Sequence, residues 1–353
     1  MKTKMIKLTS IILALLMLFS LASCAKKDND DTPKQTSESS GPSAVTDKPV
    51  DKNLEIKISV LNGTTALGMA QMICDSKDNT DDMNYKIEMF AAADAITGPI
   101  VSGETHIAAL PTNAAAKLYK ASSGKIQLLA VNTLGVLYLL QNCTTPISNF
   151  NDLKGKTIYI PGAGSNPEYI TAALLKANGL EVGKDVTLDT TSYPSPDALQ
   201  TALVSGVGGV EFAVLPEPKV TVITMNNANV KVVMDFTEKW EAVYGKNTIA
   251  QGCLVVNTEF AKAHPNEVAK FLDDYSKSVE FIKAGSDEAI SSIVSAGILP
   301  KEAIAKKALP NCNICFIEGK AMKDAMNIFY EKLFAADNKS ILALPDDNFY
   351  YSR

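Results

Sequence analysis

Residues that ordinarily carry chemistry are scarce in this chain of 353 residues. Two His are present: His106, opening the apolar run "HIAALP", and His264, in "AKAHPNEVAKF". That supply serves a Ser-His-Asp triad or a His-rich zinc site poorly, and His106 suits a core or strand-edge position better than that of a base. The one Arg is Arg353, at the C-terminus, so no guanidinium fork is available to grip a carboxylate, sulfonate or phosphate through two parallel bonds. An anionic ligand would depend on backbone donors, hydroxyls or a Lys, and a neutral polar ligand fits at least as well. No catalytic residue, cofactor or metal is expected.

Two short motifs invite a chemical reading. Cys312 and Cys315 form a CxxC inside the apolar run "LPNCNICFIEG". A redox pair should instead open a helix after a strand; in a strand, residues three apart face opposite sides, so a packing role is expected, with a disulfide, and then redox or metal chemistry, as the alternatives. Cys74, Cys143 and Cys253 are scattered singly and suit packing too. The second motif is "PGAGSNPE" (161–168), which leaves a strand and opens a helix. Ser165 with Glu168 matches a capping box, and Pro167 suits a first helical turn. Free N–H groups there would face a ligand. The loop is not GxGxxG, and "GKT" (155–157) is not a phosphate-binding loop, because Phe150 stands where its first Gly should be.

These residues must be held by elements, and the elements repeat. "VSGETHIAALP" (101–111) and "VSGVGGVEFAVLP" (204–216) share one order of helix end, strand and Leu-Pro stop. Each closes a βαβ cycle. Strands are predicted over 54–63, 84–92 and 105–111 in the first, and over 150–162, 184–194 and 210–216 in the second, with helices between them. The apolar ribbon 125–142 is assigned to the first cycle. A last strand, 253–260, precedes long amphipathic helices. The fold class is therefore α/β, with two lobes: residues 54–145 and 247–353 form lobe 1, and 146–246 form lobe 2. The chain crosses between them near 143–148 and 242–252, and two crossings make a hinge. About 300 residues suit two lobes better than one core.

In open α/β sheets, ligands sit beyond the carboxyl ends of the strands. Those ends supply Asn62, Gly63, Thr64, Thr65, Thr112, Asn113, Asn132 and Thr133 from lobe 1. Lobe 2 supplies Gly164, Ser165, Asn166, Tyr193 and Glu217. The two matching stretches are expected to face each other across a cleft.

The N-terminus is an address. Lys2, Lys4 and Lys7 precede the apolar run "IILALLMLF" (11–19), too short to span a bilayer. "LASC" follows, and resembles a lipobox. Residues 1–23 are therefore expected to be a signal peptide, and 24–53 a flexible, lipidated tether poor in large apolar side chains. The net charge of −5 becomes −8 once the three signal Lys are removed. With no basic patch, nucleic acid is not an expected partner.

The stretches "VSGETHIAALPTNAAAKLY", "DLKGKTIYIPGAGSNPEYI", "ALVSGVGGVEFAVLPEP" and "LVVNTEFAKAHPNEVAKFL" resemble the substrate-binding lipoproteins of ABC importers. Within that group they are similar to the NMT1/THI5-like set, which binds nitrate, sulfonate, taurine or thiamine precursors. The resemblance implies the type II periplasmic-binding-protein fold and a monomer that closes on a small solute. It also implies delivery to a permease and its ATPase, and lipid at Cys24 on the outer face of the cytoplasmic membrane. Cleft positions carry over to Asn62–Thr65, Thr112–Asn113, Gly164–Asn166 and Glu217. Such proteins commonly have Asp where this chain has His106, which with the lack of Arg argues against sulfonate or nitrate. The competing expectations are an enzyme on the same fold and a surface lipoprotein without a transport role.

Overall fold

The structure, a computed structural model, describes residues 46–353. The signal segment, Cys24 and most of the expected tether lie outside the described residues. The last part of that tether is not free. The Thr46 N–H donates to Asn266 Oδ1 (2.7 Å) and the Asp51 N–H to Glu267 Oε1 (2.8 Å). Asn266 and Glu267 are buried in the first turn of the helix Pro265–Lys283, so the arriving backbone satisfies polar groups that would otherwise be stranded.

Eleven strands among the described residues form two sheets: β1 (Glu55–Leu61), β2 (Asn84–Phe90), β3 (Ile107–Pro111), β4 (Ile126–Thr133), β5 (Leu137–Gln141), β6 (Thr157–Tyr159), β7 (Thr187–Asp189), β8 (Phe212–Pro216), β9 (Lys231–Asp235), β10 (Gly252–Asn257) and β11 (Ile314–Ile317). The first sheet runs β11-β4-β10-β3-β1-β2 and the second β7-β6-β8-β5-β9. Parallel pairs β1/β2 and β1/β3 in the first match β6/β7 and β6/β8 in the second. Each sheet also takes antiparallel strands from the other half of the chain: β10 lies between β3 and β4 with β11 on the far side of β4, and β5 lies between β8 and β9. The repeated Val-Ser-Gly to Leu-Pro stretches thus end as β3 and β8, at equivalent places in the two sheets.

This exchange corrects the expected first crossing. The ribbon 125–142 is split: β4 stays in the first sheet and β5 belongs to the second, so the chain crosses at 134–136, not at 143–148. An unbroken apolar run shows that both strands are buried, but not which sheet buries them. Gly135 marks the crossing. A Cβ there would lie 2.2 Å from Thr237 Oγ1 and 2.9 Å from Ile249 Cγ2, so the segments run too close for a side chain. The return passes over 245–251.

Strand alternation divides the packing. Ala108, Leu110, Cys253 and Val255 face one apolar cluster, whereas Ile107, Ala109, Leu254 and Val256 face another. The first cluster continues into the second lobe through Leu139, Phe212 and Trp240. Cys312 and Cys315 fall into different clusters as free thiols. Their Sγ atoms meet separate carbonyls, of Ala308 and Val131, and burial raises both pKa values. Cys253 is buried as expected, while Cys74 and Cys143 are half-buried.

Trp240 ties the second lobe to the C-terminal helix Gly319–Ala336. It is fully buried, lies tilted against Phe329 with ring centres 5.4 Å apart and donates its Nε1–H to Thr248 Oγ1 (3.1 Å). Trp240→Ala is expected to destabilise the protein by about 3–5 kcal/mol, seen as a lower midpoint in chemical denaturation; an unchanged midpoint would show that this contact does not join the two parts.

Candidate functional site

The carboxyl ends of β1, β3, β6 and β8 converge on a cavity of about 400 Å³, walled by both lobes. Of the residues expected there, Asn62, Gly63, Thr64, Thr65, Asn113, Thr133, Gly164, Ser165, Asn166 and Glu217 line it. The other three do not. Thr112 and Asn132 form the layer behind the wall, and Tyr193 lies outside it.

Thr112 is fully buried: its Oγ1 donates to the Ala250 carbonyl (2.7 Å) and accepts from Asn166 Nδ2 (3.1 Å). Tyr330 donates its hydroxyl proton to the Thr112 carbonyl (2.8 Å). Asn132 is equally enclosed, donating to the Thr65 carbonyl (3.1 Å) and accepting from Thr133 Oγ1. Both sit at strand ends, but their side chains support the wall instead of facing the cavity. Tyr193 packs edge-on against Tyr159 at 5.5 Å and covers Gly208, where an added Cβ would lie 2.4 Å from its hydroxyl.

The "PGAGSNPE" loop opens the helix Asn166–Ala177, but the expected capping box does not form. Ser165 makes no side-chain cap, its Oγ reaching instead toward the Pro161 carbonyl (3.4 Å). Glu168 accepts from the Gly164 N–H, one residue before the expected partner. Glu217 is buried, and its two oxygens accept from the Thr221 N–H (3.0 Å) and hydroxyl (2.9 Å). Burial pushes its carboxyl pKa up, and these bonds work against that shift.

Several wall residues escaped the sequence reading: Val136, Leu137, Gln251 and Gly252, together with Lys117 and Lys219. The first four belong to the crossing segments and to the starts of β5 and β10. A strand that runs antiparallel to its neighbours brings its beginning, not its end, to the ligand edge. The two crossings were the available signal. Gln251 accepts from the Val136 N–H through Oε1 (2.7 Å), joining one crossing to the other. Lys117 reaches the Gly164 carbonyl (3.3 Å) and lies 5.2 Å from the Tyr169 ring centre; burial lowers its pKa. Lys219 is paired with Asp197.

The lobes touch at this site. Asn113 Nδ2 donates to the Gly164 carbonyl (3.1 Å), and Asn166 Nδ2 donates to Thr112 Oγ1 and to the Gln251 carbonyl (3.0 Å). His106 stands at the other end of β3. Its Nδ1 accepts from the Lys57 N–H (3.2 Å), and its ring stacks on Phe260 at 4.3 Å. The departure from the family's Asp at this position therefore lies away from the cleft and carries no weight in choosing a ligand.

This architecture is the two-lobed type II periplasmic-binding-protein fold. Residues 125–289 match the family model described as NMT1/THI5 like, in agreement with the resemblance read from the sequence. An ABC transporter from Parabacteroides distasonis is similar over 86% of this chain and 100% of its own, with 24% identity and a TM-score of 0.69. The periplasmic aliphatic sulphonate-binding protein of Escherichia coli is similar over 85% and 92%, with 13% identity and a TM-score of 0.68. The ligand-binding component of an ABC-type import system from Staphylococcus aureus, solved with zinc bound, is similar over 84% and 96%, with 15% identity and a TM-score of 0.64. No curated protein matches the chain.

Two outcomes are expected. A Cβ on Gly252 would lie 2.5 Å from Asn132 Oδ1 and 2.8 Å from Thr65 Cγ2. Gly252→Ala should cost about 1–3 kcal/mol through overpacking, and an unchanged melting temperature would contradict the tight wall. Burial, the largest cause, lowers the His106 pKa. The unfolded chain then binds the proton first, so stability is complete above the ordinary imidazole value of about 6.5 and declines as the pH falls below it. His106→Gln should flatten that decline in pH-dependent melting curves; an identical slope would remove His106 as its source.

Proposed function

We propose that the chain is an extracytoplasmic solute-binding lipoprotein. It captures a small polar organic solute between its lobes and delivers it to the permease and ATPase of an ABC importer. The observation that carries this reading is the cavity itself. It is built from the strand ends of two sheets joined by two crossings, and lined from both sides by hydrogen-bonding groups. A solute in such a cleft contacts both lobes, so it favours the shut arrangement over any open one. The transporter then recognises the closed shape.

In this reading the protein is a monomer that catalyses no reaction, and a lipid on Cys24 holds it outside the cytoplasmic membrane. The ligand contacts are Asn62–Thr65, Asn113, Thr133, Gly164–Asn166 and Glu217, with Gln251 added from the crossing. Support for a non-catalytic role comes from the engagement of the cleft's ionisable groups in structural contacts: Glu217 with Thr221, Lys117 with Gly164, and Lys219 with Asp197. The sulphonate named for the Escherichia coli relative is not carried over, since no arginine faces this cleft among the described residues.

Native mass spectrometry of freshly purified protein should show a bound small molecule that is lost on unfolding. Asn166→Ala should weaken its rebinding about tenfold or more, because the residue links both lobes and lines the cavity; equal affinity would remove the cleft assignment. Cys24→Ser should move the protein from the membrane fraction to the soluble one. Retention at the membrane would contradict the lipid anchor.

A further inference from the structure

We infer that the cleft selects an uncharged solute bearing a primary carboxamide or ureido group, in preference to an anion that can only accept hydrogen bonds. The inference rests on the solute-binding reading above and narrows it to a chemical class.

Of the four carboxamide side chains that line the cavity, three are more than nine-tenths buried: Asn113, Asn166 and Gln251. One end of each is fixed by the protein, and the fixing partners decide which end is left over. Asn113 Nδ2 donates to the Gly164 carbonyl, and Asn166 Nδ2 to the Gln251 carbonyl. A carbonyl cannot donate, so rotating either amide would set oxygen against oxygen. Thr112 Oγ1, the other partner of Asn166, already gives its own proton to the Ala250 carbonyl. Gln251 Oε1 accepts from the Val136 N–H, so rotating that amide would set N–H against N–H.

The orientations are thus fixed, and the remainder is two acceptor oxygens and three N–H groups, one on Asn113 Nδ2 and two on Gln251 Nε2. Asn166 Oδ1 is buried with no partner, and neither Asn113 Oδ1 nor Gln251 Nε2 has one among the described residues. A buried acceptor without a donor is costly, and a ligand that supplies the donor is favoured over one that does not. A primary carboxamide offers two N–H groups for the two oxygens and a carbonyl oxygen for the N–H groups of Asn113 and Gln251. A ureido group offers the same set. A sulfonate or nitrate brings only acceptors and would meet Asn113 Oδ1 and Asn166 Oδ1 unmatched. Of the two lysines at the cavity, Lys219 is paired with Asp197, and Lys117, which donates to the Gly164 carbonyl, cannot supply either oxygen with a donor on an acceptor-only ligand's behalf.

The test is a thermal-shift and calorimetric comparison on the full-length chain, in detergent and stripped of any co-purified solute. The probes are nicotinamide and allantoin on one side, and taurine and methanesulfonate on the other. The expected result is that at least one of the first pair raises the melting temperature and neither sulfonate does. Gln251→Glu keeps the oxygen that accepts from Val136 and replaces only the free donor, so it should weaken that binding about tenfold or more. The wild-type comparison stands even if this variant folds poorly. Binding of a sulfonate in preference to the neutral pair overturns the inference and leaves the solute-binding reading intact. If no probe binds while native mass spectrometry shows a co-purified solute, this inference alone is overturned. A protein that binds no probe and carries no solute loses both.

Discussion

The crossing of antiparallel strands between the two halves of the chain is the constraint on which the rest of the structure depends. β5 leaves the first half of the chain to pair with β8 and β9, and β10 returns to pair with β3 and β4. Each sheet is incomplete without a strand from the other half. The lobes therefore share two short backbone links, at 134–136 and 245–251, which pass close enough that Gly135 has no room for a side chain. A cleft between lobes linked in this way can open without breaking either sheet, since both ladders stay on their own side of the links.

The same exchange decides what the cleft is made of. Parallel strands bring their carboxyl ends to it, which delivers the Asn62–Thr65 turn, Pro111 and Pro216. The exchanged strands bring their beginnings, which delivers Leu137, Gln251 and Gly252. Behind this surface lies a buried polar layer in which Thr112 and Asn132 bond to backbone carbonyls. Thr112 also accepts from Asn166, while the Gly164 carbonyl and the Val136 N–H orient Asn113 and Gln251. The wall thus presents directional amides beside Glu217, Lys117 and Lys219 and no guanidinium, the chain's one Arg, Arg353, being engaged with Asp273 and Glu318.

Much of this was legible in the residues. The repeated Val-Ser-Gly to Leu-Pro stretches do mark equivalent strands, because the same helix–strand packing problem is solved once in each lobe. The rule that ligands meet the carboxyl ends of parallel strands found most of the wall. The misses have a common cause. Sequence periodicity reports burial but not the identity of the burying partner, so β5 was placed in the wrong sheet and the starts of the exchanged strands were overlooked. Strand-end polar residues were taken to face a ligand, whereas at Thr112 and Asn132 the nearest unsatisfied carbonyl won instead. Tyr193 packs against Tyr159, and the Ser165 hydroxyl turns to the Pro161 carbonyl instead of capping the helix. His106 replaced an expected acid at a site that proved to be remote from the cleft.

The central claim is that the two sheets move as units about the paired links and that a solute draws them together. It is tested most directly by the distance between probes on the exposed positions Asp94, in the first lobe, and Lys184, in the second, measured by electron–electron dipolar spectroscopy. Labels attached through unnatural side chains spare the native thiols. The account predicts a broader and longer distribution for the solute-stripped protein, which narrows and shortens when the solute is restored. A distribution that is the same in both states would contradict it.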